Sequence, residues 1–360
     1  MTVRVEDVVE VTTGGPPMDP ASAPAVDCHA HAVPAGLLAS LCESSGGING
    51  FDARATEQGW LVDVPGGGAP RPVRRKMASG EIRDRWLQDQ GISCQVLSPW
   101  IDVQPTAAMT AADARDWARR LNAALLEEAG GRSGAALALA TVALNDPETA
   151  AADLVDAVRV DGMSGLLLST NPVGMVDLGD SALDPLWAAA GELGIPVMLH
   201  PPSDGPSRSM PGSEQFGNTY CRLVDTTFAV AKLILSGVLD RHPLLNLVVV
   251  HGGGFLPFQS ARLDGGHRAD ALDGYSLGRD QPSAYLGDLY YDTVAMSPAA
   301  IRFLVESVGA DRVLLGSDYP FPIGDQTPAL TVRHAGLADS DTIAILSGNA
   351  HTLIPGSVHV

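Results

Sequence analysis

Lysine is almost missing from these 360 residues: only Lys76 and Lys232 occur, and the other basic side chains are arginine. Positive charge is scarce overall, with 23 Lys and Arg against 42 Asp and Glu, a formal charge of −19. So acidic a surface repels nucleic acid and anionic membranes, and neither is an expected partner. Cysteine is sparse as well. Cys28, Cys42, Cys94 and Cys221 show no CxxC or other paired spacing and read as reduced thiols in a cytoplasmic protein. No run of about 18 apolar residues occurs, so no membrane span is expected. The opening stretch MTVRVEDVVEVTTGGPPMDP lacks a basic start followed by an apolar segment, so no signal peptide is read there.

What the chain does have is apolar residues, 45% of the total, enough for a large core. Residues 1–24 are rich in Pro, Gly and Thr and read as a poorly packed arm. From residue 25 to 355, short apolar runs alternate with longer helix-like segments. The strand-like runs are 25–28, 94–98, 136–142, 165–168, 197–200, 247–251, 290–292 and 313–317. Helix-like segments are 82–90, 111–128, 147–158, 185–193, 221–236, 299–308 and 341–347. This βα rhythm predicts an α/β fold, a closed (β/α)8 TIM-like barrel, in preference to a doubly wound sheet. Two stretches break the rhythm. Residues 32–80 contain a basic cluster of Arg71, Arg74, Arg75 and Lys76, and residues 258–288 are polar, with Arg262, His267 and Arg268. Both follow strands, so both are expected as insertions at the C-terminal face, where barrel enzymes keep their sites.

Chemistry-bearing residues sit at the ends of the strand-like runs. Val26-Asp27-Cys28-His29-Ala30-His31 sets two imidazoles two residues apart, on one side of an extended strand. His200 ends the fifth run, His251 ends the sixth, and Asp318 follows the eighth. In a closed barrel these ends share one mouth. Neutral imidazoles with one carboxylate suit one divalent metal, zinc first, with manganese or iron also compatible. Taken singly, each has an ordinary structural reading: paired turn histidines, a buried strand histidine, or an Asp capping a turn. Their joint occurrence makes the metal reading the better one. A binuclear centre of this geometry commonly uses a carboxylated lysine after the fourth strand. That run ends Leu168-Ser169-Thr170-Asn171, with neither lysine near it, so one metal is expected. Asp27 reads as a structural strand-end group and Asp292 as a residue that orients a ligand. His242, His267, His334, His351 and His359 read as turn, surface or structural histidines. Gly252–Gly254 reads as close backbone approach, since it lacks the phosphate-loop pattern.

The motifs DCHAHAVP, VMLHPP, VVVHGGGFLPF, YLGDLYYDT, VLLGSDYPFPIGD and ILSGNAHTLI span residues 25–355. Together they resemble the amidohydrolase-related decarboxylases of the amidohydrolase superfamily, and within them the aminocarboxymuconate-semialdehyde decarboxylase branch. The resemblance implies that His29, His31, His200 and Asp318 are the metal ligands, with Asp318 also counted among the catalytic residues. It implies that His251 activates the water the metal polarises, and that Arg74 holds a substrate carboxylate. It further implies that Arg262 reaches the neighbouring subunit's site in a homodimer. Two departures border the substrate: Pro201-Pro202-Ser203-Asp204 stands where the family usually carries Trp, and Arg75 stands where the close relative is acidic.

The expected activity is therefore metal-dependent, non-oxidative decarboxylation of a small unsaturated or aromatic carboxylic acid. Arginines suit bidentate capture of such a carboxylate. The alternatives are a metal-dependent hydrolase or hydratase on a small carboxylated substrate, and a non-catalytic metal-binding barrel. Release of CO₂ without incorporation of water separates the first from the second.

Overall fold

The computed structural model describes residues 23–131, 135–172, 174–269, 271–272, 275, 277–354 and 357. The expected arm, 1–24, lies outside the described residues except for its end, where Ala23 is already buried.

The described residues form eleven strands: β1 (Ala25–Ala32), β2 (Asp52–Thr56), β3 (Gly59–Asp63), β4 (Arg71–Arg74), β5 (Ile92–Pro99), β6 (Ala135–Ala140), β7 (Gly165–Ser169), β8 (Pro196–His200), β9 (Asn246–Val249), β10 (Tyr290–Asp292) and β11 (Val313–Leu314). Eight of them make one parallel sheet in the order β1-β5-β6-β7-β8-β9-β10-β11. The chain after β11 closes the ring onto β1. Cys28 N donates to Leu315 O (2.8 Å), Asp318 N to His29 O (2.8 Å) and His31 N to Tyr319 O (2.7 Å). The fold is thus the expected (β/α)8 barrel.

The barrel strands are buried on both faces, which is why Leu166-Leu167-Leu168, Val197-Met198-Leu199 and Leu247-Val248-Val249-Val250 read as unbroken apolar runs. The helices bury one stripe each. In Ala111–Gly130 the buried positions Ala114, Trp117, Ala118, Leu121 and Leu125 recur every three or four residues, and the Thr110 hydroxyl caps the first turn by accepting from Asp113 N. Pro147, Pro185 and Pro298 open three other helices in the first turn, where a missing N–H costs nothing.

The 32–80 insertion holds the helix Ala35–Glu43 and an antiparallel sheet of β2, β3 and β4. Within the 258–288 stretch, the helix Leu256–Arg268 continues from the preceding turn and Pro282–Asp288 forms a 3-10 segment. Gly265, Gly266 and a buried Asp264 interrupt the apolar stripe that would have marked that helix. The sixth strand also stops early, at Val249, and His251 lies beyond it in a tight turn.

Candidate active site

β1 is buried along its whole length, and Asp27, His29 and His31 fall on alternate positions of it. The polar row is satisfied from neighbouring strands. Asp27 accepts from Ser317 Oγ (2.6 Å), Ser317 N (3.0 Å), Gln95 Nε2 (2.7 Å) and His29 N (3.2 Å). It therefore ties β1 to the segment carrying Asp318, the structural role expected of it. Burial still pushes the Asp27 carboxyl above its ordinary pKa, the hydrogen bonds offsetting only part.

Three imidazoles converge at the barrel mouth with their tautomers fixed from behind. His29 Nδ1 lies 2.5 Å from Asp292 Oδ2. His200 Nδ1 donates to the Pro201 carbonyl (2.9 Å). His31 Nδ1 lies 2.9 Å from Ser98 Oγ, and that hydroxyl donates its proton to Ala30 O (2.9 Å), so toward His31 it can only accept. Each Nδ1 thus carries the proton and each Nε2 presents a lone pair. His29 Nε2 and His31 Nε2 stand 3.1 Å apart, and Asp318 Oδ1 lies 3.5 Å and 3.2 Å from them. His200 Nε2 and Asp318 Oδ1 are buried with no hydrogen-bond partner among the described residues. Lone pairs and a carboxylate oxygen gathered this closely repel one another unless a cation lies among them. The donor set fits a divalent metal.

The charges agree. Burial pulls the His31 pKa down to about 4 and drives that of His200 well below the usual value, so both rings are neutral near pH 7, the form a metal would need. At His29 burial acts the same way, but the hydrogen bond and charge of Asp292 outweigh it and raise the pKa, which makes the ring more basic. Asp318 is held well below the carboxylate range: burial opposes this, but its contacts with His251 and His31 prevail.

His251 differs from the other three. Its side chain is 9% exposed, its Nε2 lies 3.8 Å from Asp318 Oδ2, and its buried Nδ1 has no partner among the described residues. One ring atom each of His29, His200 and His251 and one Asp318 oxygen lie within 4.8 Å of one another, so distance alone would admit His251 as a ligand. The anchoring distinguishes it, because only His251 has a tautomer left unset. Its backbone is left-handed (φ 57°), as is that of Asp318 (φ 60°), strain of the kind that collects at functional sites. Gly252–Gly254 follow it, and the close approach expected of them is real: a Cβ on Gly254 would lie 2.6 Å from Leu223 O.

The two arginines taken from the resemblance lie elsewhere. Arg74 is exposed at the end of β4 and donates to Gln58 Oε1; the shallow pocket it lines contains Thr56, Glu57 and Pro72, not the histidines. Arg262 is exposed on the helix Leu256–Arg268. His242 bonds Asp184 (2.9 Å) in its turn, His334 is exposed, and His267 and His351 are half-buried away from the cluster; His359 lies outside the described residues.

Sequence reasoning missed three groups. Ser98, at the end of β5, fixes His31. Arg83 is buried and donates to His31 O (2.7 Å) and Gln95 Oε1 (2.9 Å). Its spacing of four from buried Leu87 on the helix Gly80–Gln90 was a usable signal for an inward arginine. Arg222 lines a cavity of about 390 Å³ together with His200, His251, Asp318 and Phe321. It lies 22 positions past His200 at the start of a helix, and nothing local marks it.

Among known proteins, the chain is 26% identical over 276 residues to 2-amino-3-carboxymuconate-6-semialdehyde decarboxylase of Dictyostelium discoideum, 75% of each chain. It is 27% identical over 308 residues to γ-resorcylate decarboxylase of Rhizobium sp. (strain MTP-10005), covering 81% of this chain and 91% of that one. The fold is shared with a dihydroxybenzoic acid decarboxylase from Polaromonas sp. JS666, solved with bound manganese and the inhibitor 2-nitroresorcinol. That comparison has a TM-score of 0.71 at 20% identity over 92% of this chain and 96% of that one. The family model described as amidohydrolase matches residues 26–355, and the chain belongs to that family.

Proposed function

We propose that this protein is a metal-dependent carboxy-lyase that removes CO₂, without oxidation, from a small aromatic or unsaturated carboxylic acid. The observation that carries the reading is the contrast among the histidines: three are anchored through Nδ1, while the fourth, His251, is unanchored and lines a cavity with His200 and Asp318. Curated relatives matched over most of their length are decarboxylases, which favours this reading over hydrolysis or hydration.

His29, His31, His200 and Asp318 would hold the metal. When bound, it supplies a Lewis acid that draws electron density from the substrate's oxygens. Loss of CO₂ breaks the bond between the carboxylate and its carbon, leaves the electron pair on that carbon, and requires a proton there. His251 is the group suited to deliver it, since either ring nitrogen can carry the proton. Cavity walls of Leu223, Val294, Met296 and Phe321 exclude water from the developing carbanion and accept a flat ring.

Zinc is the proposed metal on the strength of three imidazoles and one carboxylate; the manganese in the Polaromonas relative makes that the first competitor. One catalytic unit over 25–355 with an N-terminal arm, 1–24, is proposed from the sequence. Cytoplasmic location is proposed from four free thiols. A homodimer is proposed because Arg262 shares an exposed helix with Phe258, whose ring meets exposed Phe303.

The test uses metal-loaded protein and ¹³C-carboxyl-labelled hydroxybenzoates and unsaturated acids in D₂O. Labelled CO₂, with one deuterium on the carbon that lost it, is the expected result. A product that instead gains oxygen from ¹⁸O-labelled water would replace the decarboxylase reading with hydrolysis or hydration.

A further inference from the structure

Arg222 is the cation in the cavity beside the metal-ligand cluster. It is half-buried, and among the described residues its guanidinium donates only to uncharged oxygens: Nη1 to Pro201 O (2.6 Å), Nη2 to Ser203 Oγ (2.7 Å) and Nε to Asn218 Oδ1 (3.1 Å). Among the described residues no carboxylate pairs with it directly. Asp102 reaches it only through Ser203, whose hydroxyl donates to Asp102 Oδ2 (2.5 Å). A guanidinium has five N–H donors, so each terminal nitrogen keeps one beyond these bonds. The side chain is thus held in place by neutral groups, with two donors left over; Asp225 acts on its charge only at a distance, and Asp318 lines the same cavity as one of the metal-site residues. A guanidinium without a direct ionic partner in a largely apolar cavity is well placed to take an anion.

Its position relative to the metal ligands is fixed by one atom. The Pro201 carbonyl oxygen accepts both from Arg222 Nη1 and from His200 Nδ1. Arg222 and the Nδ1 side of the His200 ring thus meet at one acceptor.

A decarboxylase gains nothing by clamping the carboxylate it must release. That charge leaves the group as CO₂ forms, so a strong ion pair there stabilises the starting state more than the transition state. An arginine set to one side of the metal suits an anion that stays on the substrate. We propose that Arg222 binds a second acidic group retained in the product, and that the substrate is a flat aromatic or unsaturated acid with two carboxylates. This deepens the decarboxylase reading and rests on it for which carboxylate leaves.

The experiment compares 4-hydroxyisophthalate with salicylate, which differ only in the second carboxylate. Dissociation constants are measured calorimetrically on metal-loaded protein, with metal content checked for every variant. Wild type is expected to prefer the dicarboxylate by about ten- to a hundredfold, the range for a hydrogen-bonded charge. Arg222→Gln should lose that preference at unchanged metal content, and Arg222→Lys should keep part of it. Should Arg222→Gln fail to fold, the Lys variant decides, since a point charge cannot reproduce the planar fork. Arg71→Gln is the control: Arg71 faces Asp204 (3.4 Å) on the edge of a neighbouring pocket and should leave the preference intact. Equal affinities in wild type, a preference that survives Arg222→Gln, full preference in Arg222→Lys, or its loss in Arg71→Gln would each overturn the proposal. Conversion of 4-hydroxyisophthalate to 4-hydroxybenzoate and CO₂ tests the underlying reaction separately. Arg222-dependent binding with no CO₂ from any acid tried would remove the decarboxylase reading and leave the anion site standing.

Discussion

Asp292 accepts from three donors: His29 Nδ1 at 2.5 Å, Gly252 N at 2.8 Å and Val294 N at 3.1 Å. One carboxylate thereby orients an imidazole on β1 and the turn that presents His251. The sequence marks it only as a group that orients a ligand, without naming which, because its partner His29 lies 263 positions away. Asp292→Asn should keep the fold and lower metal affinity about 10–100-fold, the usual effect of losing a ligand's supporting hydrogen bond; competition against a chromophoric chelator measures it. Unchanged affinity would mean that Asp292 serves the backbone alone. His251→Ala and His29→Ala should part company. The first is expected to retain metal and lose about 10²–10⁴ in turnover, the span of general acid–base catalysis. The second should lose metal as well. Metal analysis alongside kcat on the same samples separates them, and a His251→Ala enzyme with normal turnover would take His251 out of the chemistry.

At the scale of elements, the turn after β9 shows how backbone constraint serves the site. Gly252, Gly253 and Gly254 all have positive φ, and the last runs against the helix Arg222–Leu235 so closely that a Cβ would meet Leu223 O at 2.6 Å and Thr227 Oγ1 at 2.7 Å. Gly254→Ala should cost about 1–3 kcal/mol through backbone strain and displacement. It should also move His251, so that the denaturation midpoint and turnover fall together while metal stays bound. A midpoint within error of wild type would show that the helix yields. Strand and helix positions here were readable because apolar runs and i, i+4 stripes are local signals. The β2–β4 sheet and the helix Leu256–Arg268 were not. The short β2 is mostly exposed, and the helix carries Gly265-Gly266 and a buried Asp264 that bonds Ser283 N (2.8 Å) rather than an apolar stripe.

For the molecule as a whole, metal and assembly are the measurable consequences. Without a bridging lysine after β7, elemental analysis should find about one metal per chain by the ligand count of such a centre. Chelation should lower the melting temperature, since an ion that binds only the folded state stabilises it. Two tightly held ions per chain would refute the mononuclear reading. If Arg262 serves a partner's site, mixing Arg262→Ala with His251→Ala should restore about a quarter of wild-type activity by simple counting in a twofold dimer. Verified subunit exchange with no recovery would confine Arg262 to its own chain. The sequence alone determined the barrel and the positions of His29, His31, His200, His251 and Asp318. Each stands at the end of an apolar run, and a closed parallel barrel brings all such ends to one mouth. The tertiary structure decided what that rule cannot reach: that Asp292, Ser98 and the Pro201 carbonyl fix the imidazole tautomers, and that the cavity's cation is Arg222 while Arg74 turns to Gln58. Those outcomes depend on side chains meeting across strands and loops distant in the chain, where no local pattern records the encounter.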